Sequence, residues 1–167
     1  DINGEQAQAS AAKLAGETGA QVVGVRTDVT SETEVRAMAQ SVAEQLGAVD
    51  IYVSSAAILD DKLFLDSQPA DWQRMINVCL YGPMLCLHAL LPEMVKRGYG
   101  RVVCLASDSA RLGQARLSYY AAAKGGVIAL VKSIAQEVGK SGVTLNVVSP
   151  GATNTELRQE REASLRA

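Results

Sequence analysis

With 167 residues, 48% of them hydrophobic, the chain is long enough for one domain with a buried core. A net charge of −2 and no run of Lys or Arg exclude the basic footprint of a nucleic-acid binder. Cys79, Cys86 and Cys104 lie in apolar surroundings without metal-type spacing, so they read as buried free thiols of a reducing cytoplasm.

Helix-forming sequence runs from about Glu5 to Glu17 and closes at Thr18-Gly19. Gln21 to Arg26, QVVGVR, reads as a strand. Asp28-Val29-Thr30-Ser31 then turns into a helix with Ser31 and Glu34 as a capping box. That helix carries Val35, Met38, Ala39, Val42 and Leu46 at helical spacing and ends at Gly47. Val49 to Ser54 is the next strand. A loop with Asp60, Asp61 and Lys62 leads to a long helical region from about Pro69 to Arg97, with a bend expected at Gly82-Pro83.

Residues 75–92 carry no charge and approach the length of a membrane span. Asn77, Gly82, Pro83 and His88 interrupt them, so a buried helix and no membrane partner are expected. His88, with no second ligand at metal spacing, reads as a core or interface residue. Val102 to Ala106 forms a short buried strand that delivers Ser107 into a polar loop holding Arg111, Gly113 and Gln114. A helix from near Leu117 to about Val138 follows, then a strand from Gly142 to Val148, the turn Ser149-Pro150-Gly151 and a charged helical stretch from Glu156 to Arg166. Alternating strands and helices predict one α/β domain over 1–167, with a parallel sheet covered on both faces.

The chemistry concentrates in RVVCLASDSARLGQARLSYYAAAK, residues 101–124. Tyr120 and Lys124 stand four residues apart, on one helix face and one turn apart, whereas Tyr119 has Ala123 at that offset. A free tyrosine has a pKa of about 10. A neighbouring ammonium favours the phenolate and equips the pair to exchange a proton with an alcohol or ketone. Ser107, at the mouth of the preceding strand, is placed to hydrogen-bond the same substrate oxygen.

In these residues and their spacing the chain resembles the short-chain dehydrogenase/reductase family, whose members share an α/β, Rossmann-type doubly wound parallel sheet. The resemblance implies that Ser107 positions the substrate oxygen and that Tyr120 is the general acid/base. It also implies that Lys124 binds the nicotinamide ribose and lowers the tyrosine pKa. Asp28-Val29 is similar to the segment that contacts the adenine, and Ser54 and Ala56 lie where backbone approaches the adenosine. Pro150, Gly151, Thr153 and Thr155 are similar to the Pro-Gly segment that holds the nicotinamide amide and phosphate. Asp1 resembles the acidic residue that hydrogen-bonds the ribose 2′-hydroxyl and repels a 2′-phosphate, so NAD is expected over NADP. Family members commonly pair two long helices, here 70–97 and 117–138, so a homo-oligomer, dimer or tetramer, is expected.

The chain departs from that pattern at several points. Ser54-Ser55-Ala56-Ala57 stands where the family carries Asn-Asn-Ala-Gly. Cys79 stands three residues before Gly82, at the family's proton-relay asparagine, and Asn77 lies roughly 200° around the helix from it. The resemblance places the first strand and its Gly-rich phosphate turn before Asp1 and the last strand beyond Ala167, so the sheet is expected to be incomplete and the chain a fragment. In the implied order 3-2-1-4-5-6, strand 21–26 is separated from strand 49–54 by two empty places, unless it slides in to pair with it directly. Two classes of function follow. One is an NAD(P)-linked oxidoreductase acting on a small secondary alcohol or ketone. The other is a non-catalytic binding or assembly module on the same scaffold. A lyase or epimerase is a lesser third.

Overall fold

A computed structural model of the chain describes residues 1–151 and 153. Helix α1 (Gly4–Thr18) starts where the Asn3 side chain accepts from the Gln6 N–H at 3.0 Å, and stops at Gly19, whose φ of +69° suits a residue without Cβ. Helix α2 (Glu32–Leu46) starts at Ser31, whose hydroxyl accepts from the Glu34 N–H at 3.3 Å. The reciprocal arm of the expected capping box goes elsewhere. The Glu34 carboxylate accepts from the Asp28 N–H and pairs with Arg26, both at 2.8 Å, and so braces the turn ahead of the helix.

The long helical region is built of α3 (Pro69–Ile76), one wide π turn (Asn77–Tyr81) and α4 (Gly82–Arg97). The irregularity therefore falls just before the expected Gly82-Pro83 bend. Pro83 has no N–H to give, and the widened turn, closed by Gly82 N–H to the Asn77 carbonyl, absorbs that loss. Four residues of the loop after the next strand, Ser109–Leu112, form a short helix α5, and α6 runs Ser118–Val138.

Strands β1 (Ile51–Ser54), β2 (Gly100–Leu105) and β3 (Val143–Val148) form a parallel sheet in the order β1-β2-β3. Tyr52 pairs with Val102 and Val102 with Leu145. Leu87, Leu91 and Met94 of α4 and Val127 and Val131 of α6 close over Val102, Cys104, Val143 and Leu145. Each such burial is worth about 1.5–3 kcal/mol. The 69–97 stretch is apolar and long enough to cross a membrane by composition, and here seven residues of α4 are buried against the rest of the protein. His88 lies on its exposed side, so the core alternative for that residue is excluded.

Two expectations about the sheet are corrected. Residues 21–26 form no strand ladder. Their sole backbone partner of this kind among the described residues is Asp1, whose amino group donates to Val25 O at 3.2 Å and whose carbonyl accepts from Thr27 N at 2.9 Å. A ladder needs a neighbour about 4.8 Å away. A cleft of about 610 Å³ instead separates Val23 and Val25 from Tyr52 to Ile58, so the two edges do not slide together. Cover also falls mainly on one face, because α1 packs on the 21–26 segment. On the other face Ile51 and Val53 are more than half exposed.

Gly24 shows how closely α1 lies on that segment: a Cβ there would stand 2.5 Å from the Ala7 backbone carbonyl carbon. We expect Gly24→Ala to lower stability by about 1–3 kcal/mol through forced separation. Gly16→Ala, within α1 and with open space around it, is expected to raise stability by about 0.5–1 kcal/mol. Urea unfolding midpoints of the two variants check both signs.

Candidate active site

Three segments converge beyond the carboxyl end of β2. The strand ends at Leu105, Ala106 N–H continues the ladder to Val148 O at 2.8 Å, and Ser107 is the first residue free of the sheet. Its hydroxyl accepts from the Ser109 N–H at 3.2 Å and lies 2.9 Å from the Ser109 hydroxyl. Helix α6 passes the same point. Tyr120, in its first turn, is half-buried, with the Ser107 hydroxyl close enough to pull its pKa down. Lys124, one turn on, is buried to 3% exposure and donates from Nζ to the Leu105 carbonyl at 2.7 Å.

The electrostatics differ from the expected picture of a lysine-lowered phenol. The ammonium lies 5.9 Å from the Tyr120 ring centroid and is committed to Leu105. Burial pushes the Tyr120 pKa up, Cys79 adds to the rise and the Ser107 hydrogen bond pulls it back, with a net upward shift. Burial also lowers Lys124 below an ordinary lysine, against the opposing pull of Cys79 and Cys104. Tyr120 is therefore a phenol at neutral pH, able to donate a proton.

The thiols confirm their expected state. Cys79, Cys86 and Cys104 are free and buried, and burial raises Cys104 to about 11. Cys79 points its Sγ at the Ile58 carbonyl at 3.6 Å and at Met75 Sδ at 3.6 Å. Asn77 turns away, its Oδ1 accepting from Gln73 Nε2 at 2.7 Å, and does not replace Cys79.

Beside this centre lies the 610 Å³ cleft, which gathers Asp1, Asp28, Val29, Ser54 and Ala56 along one wall or the other. Its floor holds a polar atom without a partner: the Thr27 hydroxyl is buried and makes no hydrogen bond. A buried orphan donor and acceptor, an apolar wall and a carboxylate at the mouth fit the adenosine half of a dinucleotide. Asp28 is already engaged, since its carboxylate accepts from the Thr30 N–H and hydroxyl at 2.9 and 2.8 Å, which holds its pKa below the usual range. Val29 lies against Gly82, where a Cβ would come within 2.9 Å of its Cγ2, so the π turn and this wall touch. Ser54 is buried at the end of β1, and Asp1 Oδ1 accepts from the Asn3 N–H at 2.9 Å. On the far side Pro150 O accepts from the Asp108 N–H at 3.0 Å, which brings Pro150-Gly151 next to Ser107. Thr153 is exposed and its hydroxyl donates to Gly151 O at 3.3 Å. Thr155 and the charged stretch 156–166 lie outside the described residues.

Set against known proteins, this arrangement has a clear kinship. The family model described as short chain dehydrogenase matches residues 1–166. The chain belongs to the short-chain dehydrogenase family. It is 32% identical over 145 residues to a 3-oxoacyl-[acyl-carrier-protein] reductase of Synechocystis sp., across 87% of this chain and 59% of that protein. Its fold is similar to NAD+-bound xylitol dehydrogenase at a TM-score of 0.94 and 27% identity, over 99% of this chain and 64% of that one. A gluconate 5-dehydrogenase from Burkholderia cenocepacia J2315 in complex with NADP and tartrate gives 0.90 at 29% identity, over 96% and 62%. The chain thus spans less than two thirds of the length of each of these three short-chain dehydrogenases.

The structure adds contacts at this site that sequence reasoning missed. Tyr119 donates to Asp60 Oδ2 at 2.7 Å, and Arg116 pairs with Asp61. The residues are 59 and 55 positions apart, so no local pattern links them. The one available signal was the charged triplet Asp60-Asp61-Lys62 following the apolar run Ala56 to Leu59.

Because the Ser107 hydrogen bond opposes burial, we expect Ser107→Ala to move the Tyr120 titration to higher pH. Carbon-13 NMR of labelled tyrosine, followed from neutral to alkaline pH, checks the direction; no upward movement would contradict the pairing.

Proposed function

We propose that the chain carries the reactive part of an oxidoreductase that moves a hydride between NAD and a small secondary alcohol or ketone. The observation that supports this most is the joint of Ser107, Tyr120 and Lys124 at the end of β2, beside a nucleotide-sized cleft. Asp1, Asp28, Val29, Ser54, Ala56, Pro150, Gly151 and Thr153 would hold the dinucleotide, whose nicotinamide supplies or accepts the hydride. Ser107 donates to the substrate oxygen and fixes it near the Tyr120 hydroxyl. Tyr120, protonated at neutral pH, gives its proton to a ketone oxygen and takes it back from an alcohol. Lys124, buried one turn from Tyr120 and anchored to the Leu105 carbonyl, would bind the nicotinamide ribose.

The carboxylate of Asp1 at the cleft mouth disfavours a 2′-phosphate, which supports NAD over NADP. Tyr81 of the π turn and Met84 and His88 of α4, all exposed, support self-association through the 70–97 and 117–138 helices. Three free buried thiols support a reducing, cytoplasmic setting. A non-catalytic module on the same scaffold is favoured by one feature, the methyl groups of Ala56 and Ala57 on the cleft wall where close backbone approach to the nucleotide is implied.

Two measurements decide between them. Tyr120→Phe is expected to lower turnover by about 10²–10⁴-fold with folding intact, and indifference to the change sinks the catalytic reading. In thermal-shift titration NAD is expected to raise apparent stability by about 2.7 kcal/mol at a hundredfold excess over its Kd, with NADP weaker. A cooperative transition that neither nucleotide moves favours the module.

A further inference from the structure

We propose that Arg116 is a positioning residue for Tyr120, clamping the loop after β1 onto the first turn of α6. The kinetic part of this inference rests on the oxidoreductase reading; the geometric part does not.

Helix α6 begins at Leu117 without a side-chain cap. The segment just before it is held from outside. The Arg116 carbonyl accepts from the Lys62 N–H at 3.1 Å, its Nη2 donates to the Asp61 carbonyl at 3.1 Å, and its Nε meets the Asp61 carboxylate. Tyr119, immediately before Tyr120 and itself buried, adds its bond to Asp60. Residues 60–62 are thus fastened to residues 116–119 by side chains and backbone alike. The Asp61 side chain is only 10% exposed, so this pair is not an ordinary solvated surface bridge.

The backbone records the demand. Arg116 has φ +69°, the sole positive value at a non-glycine position among the described residues. A side chain with a Cβ is sparsely found there, and persists where surrounding contacts over-determine it. Here the inverted backbone lets the carbonyl and the guanidinium of one residue both face the 61–62 loop. The loop is held from two other directions, by Lys62 Nζ on Asp71 Oδ2 at 2.8 Å and by Cys79 at the Ile58 carbonyl. It also continues directly from the cleft residues Ser54 to Ile58. Arg116 therefore ties the wall of the cleft to the turn that carries the Tyr120 hydroxyl, and the two sides of the site are set relative to each other.

The test uses the enzyme as the cell makes it, with Arg116→Met, Arg116→Lys and Tyr119→Phe, and Arg111→Met as a control in the same loop. By hydrogen–deuterium exchange, R116M is expected to lose at least tenfold protection at amides 121–124, which bond back to the first turn of α6, while 127–138 stay within twofold. Turnover is expected to fall at least tenfold with the dinucleotide Kd within twofold, R116K to recover part of both losses, and R111M to change neither. Unchanged exchange at 121–124 in folded R116M overturns the proposal. So does a loss of protection spread evenly over α6, which marks a merely structural role. If R116M does not fold, Y119F must show a smaller loss confined to 121–124, and its absence is equally decisive against the clamp. A wild-type enzyme without hydride transfer defeats the oxidoreductase reading alone, since the exchange pattern still decides the clamp.

Discussion

The geometry of the site depends on a buried ammonium. Taking an unpaired lysine out of water costs several kcal/mol, so Lys124 at 3% exposure has to be met by a strong acceptor. It finds the Leu105 carbonyl, on the last residue of β2. That bond joins the middle of a helix to the end of a strand, at the point where two reactive groups branch off. Ser107 is two residues beyond the acceptor and Tyr120 one turn before the donor. Satisfying one charge therefore brings a hydroxyl from a strand end and a phenol from a helix to the same point beyond β2. The core of α4 and α6 over β2 and β3 makes the joint stiff, because Val102, Cys104 and Val127 pack directly behind it.

Local chemistry explains what was legible in the sequence. Ser31, by a side-chain acceptor, and Gly19 and Gly47, by backbone angles that glycine tolerates, mark helix ends, and the helices begin or stop there. The four-residue offset of Tyr120 and Lys124 is likewise a property of any helix. Pairing is not local, and that is where the reading from sequence stopped short. QVVGVR has the composition of a strand, yet it lacks a ladder because its neighbour on one side is a cleft. The upward shift of Tyr120 was hidden for a similar reason. Spacing tells which groups are close, whereas burial decides which of two opposing effects on the phenol is larger.

The two halves of the site differ in how they are held. Ser107, Tyr120 and Lys124 stand on elements whose apolar faces form the main core. Asp28 and Val29 follow a segment joined to Asp1 by two backbone bonds and braced by Arg26 and Glu34, whose ion pair is solvent-exposed and worth about 0–1 kcal/mol. Local opening should therefore begin on the nucleotide side of the cleft, where few buried contacts oppose it. The contact of Gly82 with Val29 is the exception, since it lays the π turn against that wall without an intervening side chain.

That π turn links the last two peculiarities of the chain. It rotates Cys79 inward, where the implied relay position would carry an asparagine, and points the thiol at the Ile58 carbonyl. A thiol is a weak donor with one hydrogen, and at 3.6 Å it grips the loop less firmly than an amide would. The same loop, two to four residues later, is gripped by bonds in which charged groups take part: Asp61 by Arg116, Lys62 by Asp71, and Asp60 by Tyr119. These are charge-assisted bonds, stronger individually than a thiol–carbonyl contact. Cohesion between the loop and the rest of the site is thus concentrated at the Tyr120 end and thin at the Cys79 end. A chain with this distribution of bonds keeps the alignment of loop and α6 while leaving little hydrogen-bonding capacity at Cys79.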